Sequence, residues 1–284
     1  MNALPALALF SLAAFGCAQQ QPGESAAQQP GAQQPDPAKV LQEVLQQFEK
    51  EGIVFDGKTQ TVTIKAKVNQ PQDPIEYLLI YRRGKRHEAM FITQSKPSVL
   101  NAALLMLGLE PGSNAAYVEK KPRPTLEEIE RGVDPLIVTP PKGTPLWFTV
   151  KWKTPEGKPV EYCVEDLLLE LRTQRPVRGC SWVYLGGRMA RLYKNEPEVY
   201  VADYEGNLFS TCYLVPDNHL VTMVHEFARD DQNWWMTSKM PEPDTDVEIV
   251  IHKNEPQLHK DREVRVAKEA KAERVLQRML ILVY

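Results

Sequence analysis

The stretch IVFDGKTQTVTIKAKV, residues 53–68, constrains the fold more than any other part of this chain. Two β-branched runs flank Asp56-Gly57, and that dipeptide between such runs is the strongest short-range signal for an antiparallel hairpin. The device recurs. PIEYLLIYRRGKRHEAMFIT, residues 74–93, sets a Gly84 turn between apolar runs, and TPLWFTVKWKTPEGKPVEYCV, residues 144–164, alternates around Pro155-Glu156-Gly157. CSWVYLGG, EVYVADYEGNLFSTCYL and DTDVEIVIHK add strand candidates.

Helical spacing is confined to short segments. In PAKVLQEVLQQFEKEG, Val40, Leu41, Val44, Leu45 and Phe48 recur on one face before Gly52 stops the pattern. Over 97–107, Val99, Leu100, Ala103, Leu104 and Leu107 share a face, Pro97 opens the first turn, and Gly108 closes the helix in a left-handed conformation with Leu109 folding back onto Leu104. TLEEIERG is a further short helix, and VEDLLLELRTQ reads as another, with Glu165 and Asp166 where the helix dipole favours acids. Strands and helices do not alternate regularly, so a wound parallel sheet is disfavoured. The expectation is an α+β fold: a mixed, mainly antiparallel sheet built from hairpins, with a few short helices packed on it. It forms a single domain over 38–253, followed by a helical tail over 254–284. That tail carries Ala272, Val275, Leu276, Met279, Leu280 and Val283 on one face. Docking on its own domain is the first reading and docking on a partner the second.

The N-terminus reads as a route out of the cytoplasm. MNALPALALFSLAAFGC has an apolar run over residues 3–15, the length of an export signal and short of the roughly 18–20 residues a spanning helix needs. Residues 1–16 are therefore a signal segment. The Gly16-Cys17 end resembles a bacterial lipoprotein signal, which makes Cys17 the lipidation residue and a membrane the first partner. AQQQPGESAAQQPGAQQPDPA is too poor in bulky apolar residues to fold, so 17–37 is a flexible linker. A net charge of −3 gives no basic domain, and nucleic acid is not an expected partner.

IEYLLIYRRGKRHEAMFITQSKPSVLNAALLMLGLEPG resembles the YdjY-domain family, a group of commonly exported bacterial proteins without an established activity. The resemblance rests on His87, Glu88, Pro97, Ala103, Leu104, Leu105, Leu107, Gly108, Pro111 and Gly112 in order, and it continues more weakly to about Lys253. It implies an exported α+β domain and supplies neither a reaction nor a cofactor.

Candidate chemistry is sparse. His87-Glu88 and His225-Glu226 each lack the second histidine of a His-Glu-x-x-His zinc site, because Phe91 and Arg229 stand there. If the run after the turn is a strand, His87 sides with Ala89 and Phe91, and Glu88 with Met90 and Ile92, so the pair cannot share a ligand. The first reading is structural. The alternative is a metal-binding protein or metal-dependent enzyme using His87 and Glu88, with His219 or His225 brought in from separate segments.

Arg82, Arg83, Lys85 and Arg86 form a candidate anion patch, read first as a solvated turn and second as a clamp for lipid headgroups or an acidic polymer. Asp230, Asp231, Asn233, Trp234 and Trp235 combine polar and aromatic groups in a manner suited to sugars, although adjacent tryptophans more often anchor a core. Cys163, Cys180 and Cys212 allow three disulfide pairings, and buried free thiols are the default reading. The expected function is that of a non-catalytic envelope module binding a partner protein or polymer.

Overall fold

The computed structural model describes residues 36–283. The expected signal segment, Cys17 and the expected linker as far as residue 35 lie outside the described residues. Helix α1 (Pro37–Lys50) is capped by Asp36 and leads into the hairpin β1 (Ile53–Asp56) and β2 (Thr61–Val68). Asp56 Oδ1 accepts from the backbone of Lys58 and Thr59, which fixes the turn expected at Asp56-Gly57. After β3 (Tyr77–Tyr81) and β4 (Ala89–Thr93) comes α2 (Pro97–Met106). Its end is as the sequence predicts: Gly108 has φ +78° and Leu109 N reaches Leu104 O at 3.3 Å. Leu100, Ala103, Leu104, Leu107 and Leu109 are buried.

The next segment holds the small pair β5 (Ala116–Glu119) and β6 (Leu136–Thr139), with α3 (Leu126–Glu130) between them. α3 opens with a capping box between Thr125 and Glu128. The hairpin β7 (Thr144–Lys153) and β8 (Pro159–Cys163) turns at Pro155-Glu156-Gly157 as expected. The chain continues through β9 (Leu168–Glu170), β10 (Arg175–Pro176), β11 (Ser181–Tyr184), β12 (Met189–Ala190) and β13 (Val199–Tyr200). It then forms α4 (Val201–Glu205), β14 (Asn207–Ser210), β15 (Val221–Val224), β16 (Trp234–Met236), β17 (Asp246–His252) and α5 (Gln257–Val283).

The architecture is mixed α+β, strand-rich with few short helices, and its main sheet closes on itself. Hydrogen bonding runs β2–β17–β7–β11–β15–β14–β3–β4 and returns to β2, an eight-strand barrel. Closure is the one arrangement that leaves a sheet without open edges. The interior is filled by side chains: Phe148 meets Trp182 edge-on at 5.4 Å and Phe209 at 5.2 Å, with Ile64, Ile249 and Val150 fully buried in the same core.

Three expectations are corrected. The Gly84 segment is not a hairpin, because β3 and β4 pair in parallel, as do β14 and β15. VEDLLLELRTQ is not a helix. It makes a single 3-10 turn (Val164–Asp166) and then β9, the central strand of a three-stranded sheet between β10 and β16. Its acids are buried and committed to tertiary partners: Glu165 accepts from Trp182 Nε1 at 3.0 Å, and Asp166 from Arg262 at 3.2 Å and Arg265 at 2.7 Å. Those contacts outweigh helix propensity. Third, EVYVADYEGNLFSTCYL is not one strand: it folds as β13, α4, a left-handed Gly206 and β14.

α5 docks on its own domain, and among its described residues charged contacts hold it. Arg262 is buried and reaches both Asp166 and Val177 O, while Glu269 and Glu273 pair with Arg178 and Arg175. Ala272 is exposed, and the side chains of the expected apolar face from Val275 onward lie outside the described residues. Breaking a buried pair strands the remaining charge, so Arg262→Ala should cost about 3–5 kcal/mol in urea unfolding. A loss below about 1 kcal/mol would show that the pair behaves as an exposed one.

Candidate functional site

Because β3 and β4 are parallel, residues 82–88 must carry the chain back along the strand rather than simply reverse it. The loop is held throughout. Tyr81 N donates to Gly206 O and Gly84 N to Tyr81 O, both at 2.7 Å. A Cβ at position 84 would stand 2.6 Å from Gly206 O and 2.7 Å from Ile80 Cβ, so a side chain would push the loop off the sheet. Buried Asn69 donates to Arg86 O at 2.6 Å and Ala89 O at 2.7 Å.

The His87-Glu88 pair sits on a 3-10 turn (Arg86–Glu88), and β4 begins only at Ala89. The expected alternation across a strand therefore does not apply: His87 Nε2 lies 3.2 Å from Glu88 Oε1. Glu88 has other commitments as well. Lys85 Nζ stands 3.0 Å from both Glu88 Oε2 and Glu76 Oε2. Partial burial and a hydrogen bond with Glu88 raise the Glu76 carboxyl above its usual range. Burial pushes Glu88 the same way, but its bonds to Glu76 and Lys85 outweigh that and leave it lowered. The two carboxyls are thus pushed in opposite directions, with Lys85 bracing both. This knot ties the return loop to the start of β3.

The histidines are not gathered. His225 accepts from Phe227 N through Nδ1 at 3.2 Å, so its Nε2 carries the proton and donates to Arg178 O at 3.0 Å, with its ring edge-on to Trp234. His219 is buried near Asp217, its Nε2 has no hydrogen-bond partner, and burial pushes its pKa down to about 4. Among the described residues no three His, Cys, Asp or Glu side chains stand together as a metal cage, so the four candidate ligands do not converge.

The Trp-rich segment is split between surface and core. Asp230 pairs with Arg172 at 3.1 Å and Asp231 accepts from Gln232 at 3.1 Å. Asn233 and Trp234 are buried, Asn233 Oδ1 bonding Arg172 N, and Trp235 is half-buried. A sugar platform using Asn233 or Trp234 is therefore unavailable from outside. Cys163, Cys180 and Cys212 are free thiols. Burial raises all three and takes Cys163 up to about 12, which removes thiolate reactivity.

The predicted cation patch is divided. Lys85 turns to its two carboxylates, Arg83 is exposed, and Arg82 and Arg86 line a cleft of about 420 Å³ between the end of α1, β2, β4 and the return loop. Lys50, Lys65 and Lys67 line it from other elements. These lysines were missed because only tertiary contact brings them to Arg82. The available signal was the alternation of β2, which buries Val62, Ile64, Ala66 and Val68 and leaves Lys65 and Lys67 outward.

Two pH effects follow. His219 folds with a pKa near 4 against 6.5 unfolded, so the unfolded state binds its proton first and stability is lost as pH falls from about 6.5 to 4. His219→Leu should flatten that slope in urea titrations by an amount on the order of 3 kcal/mol across the window; an unchanged slope would assign the effect elsewhere. Glu76 has the opposite sign. Its protonated form is the one favoured by folding, so its contribution is present below 4.5 and lost as pH rises through the raised value. Glu76→Gln, which resembles the protonated residue, should therefore gain stability relative to the parent as pH rises from 4.5 to neutrality. A pH-independent difference would contradict the raised Glu76 carboxyl.

Comparison with known families settles the chain's kinship. The YdjY domain model matches residues 53–252, from β1 to the end of β17, and leaves α1 and α5 outside. No curated protein and no solved structure matches the chain. With the match covering the whole barrel and most of the sequence, the chain belongs to the YdjY domain family.

Proposed function

We propose that this protein is a non-catalytic binding module of the cell envelope, exported and tethered to a membrane by a lipid on Cys17. The apolar leader, the Gly16-Cys17 junction and the Gln- and Pro-rich segment after it support the tether. No helix among the described residues is long and apolar enough to cross a membrane. The observation that carries the binding role is a cleft of about 980 Å³ on the outside of the barrel, over β2, β17, β7 and β8. With the interior filled by Phe148, Trp182 and Phe209, recognition falls to this outer surface.

The cleft suits a macromolecular partner. Pro159 and Val160 give it an apolar part and Lys151, Lys153 and Glu161 a charged rim, the usual division of a recognition surface, while Trp152 is buried in the core cluster. Trp152 is stacked on Tyr162 at 5.3 Å, and all of these residues ride on paired strands, so the surface needs no ordering before it binds. The partner is an envelope protein or polymer.

Cys17→Ala should move the protein from the membrane fraction to the soluble fraction, and mass spectrometry of the parent should find a lipid-bearing Cys17 at the mature N-terminus. A photo-crosslinking residue at Lys153 should give a discrete adduct in intact cells. Unaltered fractionation of the variant would remove the tether from this reading, and the absence of any adduct would remove the cleft.

A further inference from the structure

We propose that the cleft between α1, β2, β4 and the return loop is a binding site for a phosphate group. The cleft, of about 420 Å³, is the size of a small-ligand pocket. It is lined by five cations, Lys50, Lys65, Lys67, Arg82 and Arg86, and three carboxylates, Glu51, Asp244 and Asp246. Five against three leaves an excess of two positive charges.

Three of these groups are already engaged locally. Lys67 pairs with Asp246 at 3.4 Å and reaches Asp244 O at 3.4 Å, and Glu51 accepts from Lys96 N at 3.0 Å. Among the described residues Lys50, Lys65, Arg82 and Arg86 have no carboxylate within ion-pair distance. Like charges gathered around a concavity repel one another, and the low-dielectric walls focus their field into it. A bound anion relieves that repulsion.

The backbone that carries the arginines is held before any ligand arrives. Arg82 lies over the Tyr81 ring at 5.1 Å, and the backbone of Arg86 is held by Asn69 at 2.6 Å. The Lys85 knot and the close approach of Gly84 to Gly206 immobilise the chain between them. Guanidinium groups carried on this backbone offer the forked donors that suit phosphate oxygens. The cations come from three directions: the last turn of α1, the outward face of β2, and the loop. A tetrahedral dianion carries acceptor oxygens on every side and neutralises two charges. A planar carboxylate presents its acceptors in one plane and carries one charge. The matching ligand is therefore a phosphomonoester, on a lipid headgroup or on a soluble molecule. The site does not depend on the tether or on the larger cleft, although it shares Lys65, Ala66 and Asp246 with that cleft.

The test titrates the full chain with glycerol 3-phosphate by calorimetry, and in parallel floats it with phosphatidylcholine vesicles containing phosphatidic acid. Binding should weaken with added salt and fall about tenfold or more in Lys65→Glu/Arg86→Glu. Lys120→Glu/Arg123→Glu changes net charge equally but away from the cleft, and should bind as the parent does. Lys65→Gln/Arg86→Gln gives the same reading should the reversal fail to fold. Binding of the soluble ester supports a soluble phosphate ligand, and binding of vesicles alone supports a lipid headgroup. No binding in either arm, equal binding of succinate at matched ionic strength, or cleft variants that bind like the parent would overturn the proposal.

Discussion

The barrel depends on how β2 divides one edge between two strands. Its first half, through Ile64, pairs with β1, and its second half, from Ala66, pairs with β4. Lys65 stands at the switch. Its N–H is taken by Gly52 O at 3.2 Å and its carbonyl accepts the Thr93 hydroxyl at 2.7 Å. Ser95 completes the seam, donating its N–H to Thr93 Oγ1 and its hydroxyl to Glu51 O at 2.6 Å. Backbone groups that would be costly to bury unpaired are thus satisfied where the ladder changes partner. The remaining edge of β2 goes to β17 over seven residues, which carries the sheet on toward β7.

The same switch creates the surface the protein presents. Where β1 and β4 part, the end of α1 and the return loop come together over β2, and their side chains form the walls of the smaller cleft. The parallel pairing of β3 and β4 forces the loop to run back along the sheet, close enough that position 84 must be glycine. The carboxyl pair of Glu76 and Glu88 belongs to this scaffolding. It holds the loop from one side through Lys85, while Asn69 holds it from the other. The His87 side chain meets Glu88 and its carbonyl accepts from Gln72 N and Asp73 N, so both residues of the pair are tied into the return loop.

Elsewhere the fold accepts buried charge to fix an element that lies outside the family domain. Arg262 of α5 enters a site made by Asp166 and Val177 O, and Glu165 beside it is satisfied on one oxygen by Trp182. Buried ion pairs contribute little net stability compared with apolar packing, yet an unpaired member is costly. Their effect is to define where the helix sits.

The sequence by itself determined the local pieces. The Asp56-Gly57 and Pro155-Glu156-Gly157 hairpins, the Pro97-to-Gly108 helix and the short helix in TLEEIERG form as read, because each is set by residues within a few positions of one another. It also carried the family, since the motif from His87 to Gly112 is continuous in the chain. Tertiary structure decided the rest. Gly84 could have reversed the chain or returned it, and the choice fell to the neighbours of β3, with β14 on one edge and β4 on the other. VEDLLLELRTQ has the acids and leucines of a helix, but Glu165 and Asp166 find Trp182 and Arg262 from distant segments. Lys50, Lys65 and Arg86 are far apart in sequence and meet only because β2 changes partner between them. Short-range patterns fix turns and caps because their energies are local; barrel closure, burial of charge and the grouping of cations are set by contacts between distant segments, which periodicity along one segment does not encode.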